Sequence, residues 1–422
     1  MRRQYLCIDL KSFYASVECV ERGLDSMTTR LVVADPERTD KTICLAVSPA
    51  LKAMGVKNRC RVFEIPPDIE YITAPPRMKK YIDYAAEIYA IYLKYVSKDD
   101  MHVYSIDEVF MDVTHYLPLY KLSARDLARR MTEDVYRSLG IRATCGIGTN
   151  LYLAKIALDI TAKHSPDFIG ELDEQGFCRT MWDHRPLTDF WRIGKGLSAS
   201  LEQQCIYTMG DIAHAPQEAL YRRYGVDAEL IIDHAWGREP TTIADIKAYH
   251  SKTNCLTSGQ VLMRDYSFLE GEIIIKEMTE ALCMEMLEKG VVTDSVTLYV
   301  GYSNALKLPP ARGSARLASA SCSVNLLTPA MTALYGRIVD RSLPVRRINI
   351  SFNRVIEDNG VEQMSIFEDS NQLERERELQ KTVISLKKRF GKNSVLRAMS
   401  LQQAATAMER NRQIGGHKSG EQ

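Results

Sequence analysis

No stretch of the sequence reaches the roughly 18 consecutive apolar residues that a bilayer crossing requires, and the opening Met1-Arg2-Arg3-Gln4 runs into a strand-like YLCIDL, not a signal-peptide core. The expectation is therefore a cytoplasmic chain with no membrane partner. Nor is there a C-x-x-C pair. The ten cysteines, at 7, 19, 44, 60, 145, 178, 205, 255, 283 and 322, never come closer than twelve residues apart, which leaves no zinc ribbon and no redox couple. Most read as small buried apolar residues. Net charge is nearly absent: 55 Lys plus Arg stand against 54 Asp plus Glu, a formal balance of +1. Spread evenly, that balance would argue against a nucleic-acid partner. Compositional bias is missing too, since 26% charged and 45% hydrophobic residues exclude disordered and collagenous chains.

What is there is an uneven charge. From Gly301 to Val355, eight basic residues (Lys307, Arg312, Arg316, Arg337, Arg341, Arg346, Arg347, Arg354) face one acid, Asp340, a local excess of seven. A length of 422 residues fits roughly two to four domains. The first segment alternates strands and helices: QYLCIDL, then FYASVECVERG ended by Gly23, then RLVVADP and TICLAVS with PALKAMG behind them. Over 75–98, Met78, Tyr81, Ile82, Ala85, Ile88, Tyr89, Tyr92 and Val96 make one helical stripe. HVYSI and VFMDV flank an acidic pair, and Ser123 and Gly140 bracket a helix. RATCGIG and NLYLAKIALDITAKH give a further strand and helix. The pattern predicts an α+β sheet of the split βαβ kind with helices on one face. From about 166 to 240 it reads as wholly helical, and from about 248 to 356 a second α/β unit carries the basic stretch, with ARLASASCSVN as one of its strands. Beyond Glu357 a polar segment holds a helix and a tail, IGGHKSGEQ, expected to be disordered.

Asp9 ends the first strand, and Asp107 and Glu108 sit between two runs that should form a hairpin in the same sheet. Asp-Glu is a poor choice for a tight turn, where Asn-Gly or Asp-Gly would serve. Three carboxylates at one sheet end repel unless cations lie between them, and a hard oxygen cluster suits Mg²⁺. Two such ions roughly 3.5–4 Å apart can activate a 3′-hydroxyl and stabilise a leaving pyrophosphate.

CIDLKSFYASVE, YSIDEVFMDVT and CGIGTNLYLAKIA together resemble the three palm motifs of the Y-family (DinB and UmuC type) translesion DNA polymerases, and the resemblance extends over about residues 1–356. It implies an α+β multidomain fold: a palm with a ferredoxin-like split βαβ sheet (1–24 and 76–165), small fingers (25–75), a helical thumb with a helix-hairpin-helix (166–240), an α/β little finger (241–356), and a clamp-binding segment and tail (357–422). It implies two Mg²⁺ ions, with Mn²⁺ a substitute, held by Asp9, Asp107, Glu108 and the Leu10 carbonyl. Phe13 and Tyr14 fall on the family's aromatic pair. Tyr14 resembles the steric gate, a ring beneath the sugar that leaves no volume for a 2′-hydroxyl. Lys155 matches a lysine that contacts the triphosphate in relatives. Where DinB-like members carry a clamping Tyr and Arg, this chain has Pro49 and Lys52. Lysine supplies charge without the bidentate fork, which points to a UmuC-like branch.

The turn Ile193-Gly194-Lys195-Gly196-Leu197 resembles a helix-hairpin-helix, whose glycines let backbone N–H groups approach a DNA phosphate. Arg337, Arg341, Arg346, Arg347 and Arg354 are expected against the duplex backbone, giving sequence-blind, salt-dependent binding. Gln363-Met364-Ser365-Ile366-Phe367 resembles the bacterial sliding-clamp peptide, with Ile366 and Phe367 as inserted side chains and Gln363 at the rim. The implied activity is error-prone, template-directed extension of a primer 3′ end with deoxynucleoside triphosphates during damage bypass. The implied partners are primer-template DNA, the clamp, and a recombinase or accessory subunits. Two rivals use the same residues: a palm-type nucleotidyl cyclase, which needs no DNA-binding domains, and a catalytically weak accessory protein that binds DNA and the clamp.

Overall fold

The structure, a computed structural model, describes residues 2–251, 254–358 and 370–420. The chain divides into two compact units, Met1–Tyr249 and His250–Ser419. Among the described residues no helix is long and apolar enough to cross a membrane.

The first unit is built on β1 (Tyr5–Leu10), whose residues are all buried except the half-buried Asp9. The insert that follows has its own small sheet of β2 (Leu31–Val33), β3 (Ala46–Val47) and β4 (Ile72–Ala74), in the order β3-β2-β4. Val32, Cys44, Val47, Leu51 and Ile65 form its core. The main sheet is completed by β5 (Met101–Val103), β6 (Glu108–Asp112), β7 (Ala143–Gly148) and β8 (Ile169–Leu172), in the order β5-β6-β1-β7-β8. Strand β1 runs antiparallel to both β6 and β7, and β8 runs parallel to β7. That last strand lies inside the stretch whose pattern reads as wholly helical; four residues are too few for a period of two to show.

Helices cover both faces of this sheet, not one as the pattern suggests. On one face, Leu10 and Val109 line a cavity with Ile88 and Tyr92 of the Met78–Tyr92 helix, which packs against Ala124–Leu139. Ser123 caps the latter helix through the Asp126 N–H, and Gly140 ends it at φ 69°, as the sequence predicts. On the other face, Cys7 and Phe110 pack against Leu151, Ala154 and Leu158. Glycines of CGIG make that approach possible: a Cβ on Gly146 would lie 2.0 Å from the Ala154 carbonyl oxygen, and one on Gly148 would lie 2.2 Å from the Ala154 nitrogen. Ala157–Thr161 then widens into a π turn. Short helices from Glu174–Met181 to Ile243–Ala248 close the unit around Phe177, Phe190, Leu201, Met209 and Ile231.

In the second unit, β9 (Leu256–Tyr266), β10 (Val291–Tyr302), β11 (Ala311–Ser321) and β12 (Val345–Asn353) form an antiparallel sheet in the order β11-β10-β12-β9, and β13 (Ile356–Glu357) pairs with the start of β10. Helices Phe268–Lys289 and Val324–Ile338 pack together on one of its faces. The second helix begins earlier than the pattern suggests, because Ser323 caps it through the Leu326 N–H, and residues 324–325, read as strand, are its first turn. The tail is also corrected. A helix over Ser370–Phe390 packs on Phe268–Lys289, and β14 (Gln413–Ile414) pairs with β15 (His417–Lys418). Polar composition hides the anchor: the buried Glu277 accepts the N–H groups of Thr406 at 2.9 Å and Ala407 at 3.1 Å, while Ala404 joins the core.

Candidate active site

The register of the main sheet sets Asp9 opposite Glu108 on β6 and Thr144 on β7. Directly paired residues share a face, so the two carboxylates stand side by side. Asp107 is tied to the end of β1, because the Leu10 N–H donates to its carbonyl at 2.9 Å, and Ser105 Oγ donates to its Oδ1 at 2.6 Å. Glu108 is 6% exposed; its Oε1 accepts from Cys7 Sγ at 3.3 Å and its Oε2 from Lys155 Nζ at 2.8 Å. Lys155 also reaches Asp159 at 3.1 Å. Burial alone would lower the Lys155 pKa, but Asp159, Cys7 and Glu108 outweigh it and hold the ammonium charged. The Asp9 carboxylate has no ion-pair or hydrogen-bond partner among the described residues, although its carbonyl accepts from Thr144 Oγ1 at 3.3 Å, and its pKa is pushed up to about 7, first by burial and then by the charges of Asp107 and Glu108.

Cationic side chains ring this cluster. Lys52 stands on the short Pro49–Ala53 helix of the insert, and its pKa is lowered by burial against the opposing pull of Asp9 and Asp107. Lys11 is depressed by burial and by Lys52 and Arg142, and its Nζ lies 3.7 Å over the Phe168 ring. Lys163 pairs with Asp159 at 3.5 Å and lies within the field of Asp9. The sequence reading passed over Lys11 and Lys163; the signal for Lys163 was its place two turns beyond Lys155 on the same helical run. Lys155, expected at the triphosphate, is bonded to Glu108 and Asp159. Tyr14 is half-buried and stacks on Tyr81 with ring centres 4.5 Å apart. Burial, and after it the Asp107 charge, raises its pKa. Phe13, 2% exposed, is a core ring 5.8 Å from Tyr14.

Asp9 and Asp107 suit a hard divalent cation, since the Asp107 charge disfavours that of Asp9 and the Asp9 carboxylate is unpartnered among the described residues. Glu108 is turned to Lys155, and among the described residues no three His, Cys, Asp or Glu side chains converge closely enough to form a closed metal cage. The carboxylates therefore fit a site completed by water and substrate oxygens, as Mg²⁺ prefers.

Gly194 stands at the N-cap of the Lys195–Glu202 helix; Gly194, Lys195 and Gly196 are exposed, Ile193 is buried beneath them, and nothing lies within 4 Å of a Cβ at either glycine. In the second unit the five expected arginines do not share a face. Arg354 pairs with Asp294 at 2.7 Å and Arg346 with Asp265 at 3.5 Å; Arg337 donates to the Ser314 carbonyl and Arg341 lies 5.0 Å over Phe268. Arg347 alone of the five stands exposed on the sheet face opposite the helices, paired with Gly301. Arg312 and Arg316 of β11, exposed and in register with Tyr299 and Ser295, were missed; the strict alternation of ARGSARLASAS was the signal for their face. Gln363, Ile366 and Phe367 lie outside the described residues.

Models of the impB/mucB/samB family and of that family's C-terminal domain match residues 8–159 and 257–366. UvrX of Bacillus subtilis (strain 168), whose name ascribes it to UV-damage repair, is 30% identical over 422 residues, covering 99% of this chain and 98% of its own. DNA polymerase IV 2 of the same organism is 29% identical over 413 residues, 97% of each chain. A solved Y-family DNA polymerase chimera, Dbh-Dpo4(243-245)-Dbh, shares the fold with a TM-score of 0.65 at 18% identity, over 84% of this chain and 99% of that one. The chain belongs to the impB/mucB/samB family, the Y-family of translesion DNA polymerases.

Proposed function

We propose that this chain is a DNA-directed DNA polymerase that extends a primer opposite damaged template and works by two-metal-ion catalysis. One observation carries the reading: Asp9 and Glu108 are direct cross-strand partners, with Asp107 locked beside them and Lys155, from the helix behind the sheet, bonded to Glu108. Asp9, Asp107, Glu108 and the Leu10 carbonyl would hold the cations. When bound, these supply charge to lower the pKa of a primer 3′-hydroxyl and to neutralise the departing pyrophosphate.

The remaining work falls to the chain itself. Lys155 pairs with Glu108 at 2.8 Å inside a buried site, so that the two opposite charges offset one another there. Lys52 and Lys163 lie where the charge of a triphosphate would be neutralised. Tyr14, braced on Tyr81, presents a ring edge where a sugar would rest, and a 2′-hydroxyl would collide with it. The exposed glycine turn at 194–196 offers N–H groups to a strand phosphate, and Arg312, Arg316 and Arg347 offer a cationic sheet face to the duplex. None of these contacts reads base identity, which suits synthesis past altered bases. Gln363, Ile366 and Phe367 would tether the chain to a sliding clamp.

Primer extension with Mg²⁺ tests this, comparing the native chain with Asp107→Ala plus Glu108→Ala on plain and damaged templates. The native chain should extend both, and the double variant should bind primer-template while extending neither. A native chain that binds DNA yet extends nothing would establish the accessory reading instead.

A further inference from the structure

Beyond the carboxylates, the same sheet row has one more member. Strand β5 pairs with β6 through Val103 and Val109, and the Tyr104 N–H donates to the Glu108 carbonyl at 2.9 Å. Tyr104 is therefore the lateral neighbour of Glu108, as Glu108 is of Asp9, on one face of one sheet. Its ring is 48% exposed. It is held edge-on against Phe110 at 5.8 Å and Trp191 at 6.0 Å, and the Trp191 indole Nε1–H donates to its hydroxyl at 3.3 Å. Trp191, half-buried, also lies parallel to His234, and the Arg192 guanidinium lies 5.7 Å over its ring. Three residues further on, Gly194 opens the phosphate-facing turn.

A large amphipathic ring braced by Phe110 and Trp191, with half of its surface open beside the carboxylates, is suited to stacking or edge contact with a bound nucleotide. Its position restricts which nucleotide that is. Tyr104 lies beside the carboxylates in the sheet, and Trp191, which bonds it, stands three residues before the 194–196 turn, so a strand that met both Asp9 and that turn would run by these rings. We propose that Tyr104, backed by Trp191, is the stacking surface for the terminal nucleotide of the primer, a positioning residue that holds the 3′-hydroxyl against the carboxylates by base or sugar contact, not by charge. The inference rests on the polymerase reading and adds a primer-terminus subsite to it. Stacking on an aromatic ring accepts any base, so the subsite would not select sequence.

The test is fluorescence anisotropy and single-nucleotide extension with the full chain, on a hairpin primer-template with a recessed 3′ end, across a range of salt concentrations. Tyr104→Ala should weaken binding by roughly tenfold, the effect expected for one lost base stack, with the salt slope and the KM for the incoming nucleotide unchanged. Lys195→Ala should instead lower the salt slope, as loss of a phosphate contact does. Tyr104→Phe, which keeps the ring and loses the bond from Trp191, should restore most of the affinity. If Tyr104→Phe is as impaired as Tyr104→Ala, the ring is only a latch between the sheet and the helical segment, and the proposal falls. It falls equally if Tyr104→Ala binds and extends as the native chain does, or if the loss appears in nucleotide KM alone. A native chain that neither binds nor extends the hairpin overturns the polymerase reading together with this inference.

Discussion

Glu18 is fully buried on the Phe13–Val20 helix, and its carboxylate is the junction of that helix with Met78–Tyr92. Arg77 donates to it twice, Nε at 2.9 Å and Nη2 at 2.8 Å, Tyr81 Oη donates at 2.8 Å, and Arg22 completes the set. Glu18→Ala would leave the Arg77 guanidinium and the Tyr81 hydroxyl without their acceptor. Breaking one half of a buried ion pair costs about 3–5 kcal/mol. Arg77 keeps 28% of its side-chain exposure and can turn toward water, so the lower end, about 3 kcal/mol, is expected. For a unit of this size that is a fall of roughly 6–12 °C in the melting of the first unit, read as the affected transition in a calorimetric scan because the two units need not melt together. Burial would raise the Glu18 pKa, but the bonds from Arg77, Arg22 and Tyr81 outweigh it and hold it below the usual 4.5. The contribution is therefore complete above the unfolded value and is lost as pH falls through the folded one, so the gap between the native chain and Glu18→Gln should narrow as the pH falls below the usual 4.5. A Glu18→Ala chain melting within about 2 °C of native, or a gap that widens in acid, would refute the argument.

Other outcomes follow from the same geometry. Tyr14→Ala should raise ribonucleotide incorporation relative to deoxynucleotide, measured as a ratio of kcat/KM values; unchanged sugar selectivity removes the gate assignment. Arg312→Ala, Arg316→Ala and Arg347→Ala should each reduce the salt slope of DNA binding by about one, while Arg337→Ala, on the helix side, should leave it unaltered. Equal slopes for all four would mean the open sheet face is not the duplex surface. Deleting residues 363–367 should abolish stimulation of extension by a sliding clamp without reducing unstimulated synthesis, and a loss of both would make the segment structural.

Where the sequence could be read, local chemistry and periodicity agreed. Asp9 at a strand end and an acidic pair splitting two apolar runs are visible in one dimension, because a β-hairpin brings its neighbours together whatever the rest of the fold does. The caps at Ser123 and Gly140 are local too. Side chains whose role depends on a distant partner were less legible. The 3.6-residue period says that Lys155 faces inward on its helix. It does not say that Gly146 and Gly148 let the helix sink onto β7 until the ammonium meets Glu108. The anchor of the tail was hidden for the same reason: nothing in FLEGEIIIKEMTEAL marks Glu277 as an acceptor for backbone N–H groups more than a hundred residues away.

The arginines show how a signal can be present and still be read too coarsely. Counting charge from Gly301 to Val355 treats Arg346 and Arg347 as equivalent, yet consecutive residues on a strand point to opposite faces. Ile348, Ile350 and Phe352 are buried against the helices, so the period of two puts Arg347, Asn349 and Ser351 on the open face, while the register shifts between Val345 and Arg347 and Arg346, at that irregularity, pairs with Asp265. The same alternation in ARGSARLASAS sets Arg312, Ser314 and Arg316 outward. A phosphate backbone responds to charge that is both unpaired and presented on one surface, so the quantity that predicts DNA binding is the excess on the open face. Arg312, Arg316 and Arg347 belong to that excess, and Arg337, Arg346 and Arg354, although as basic, do not.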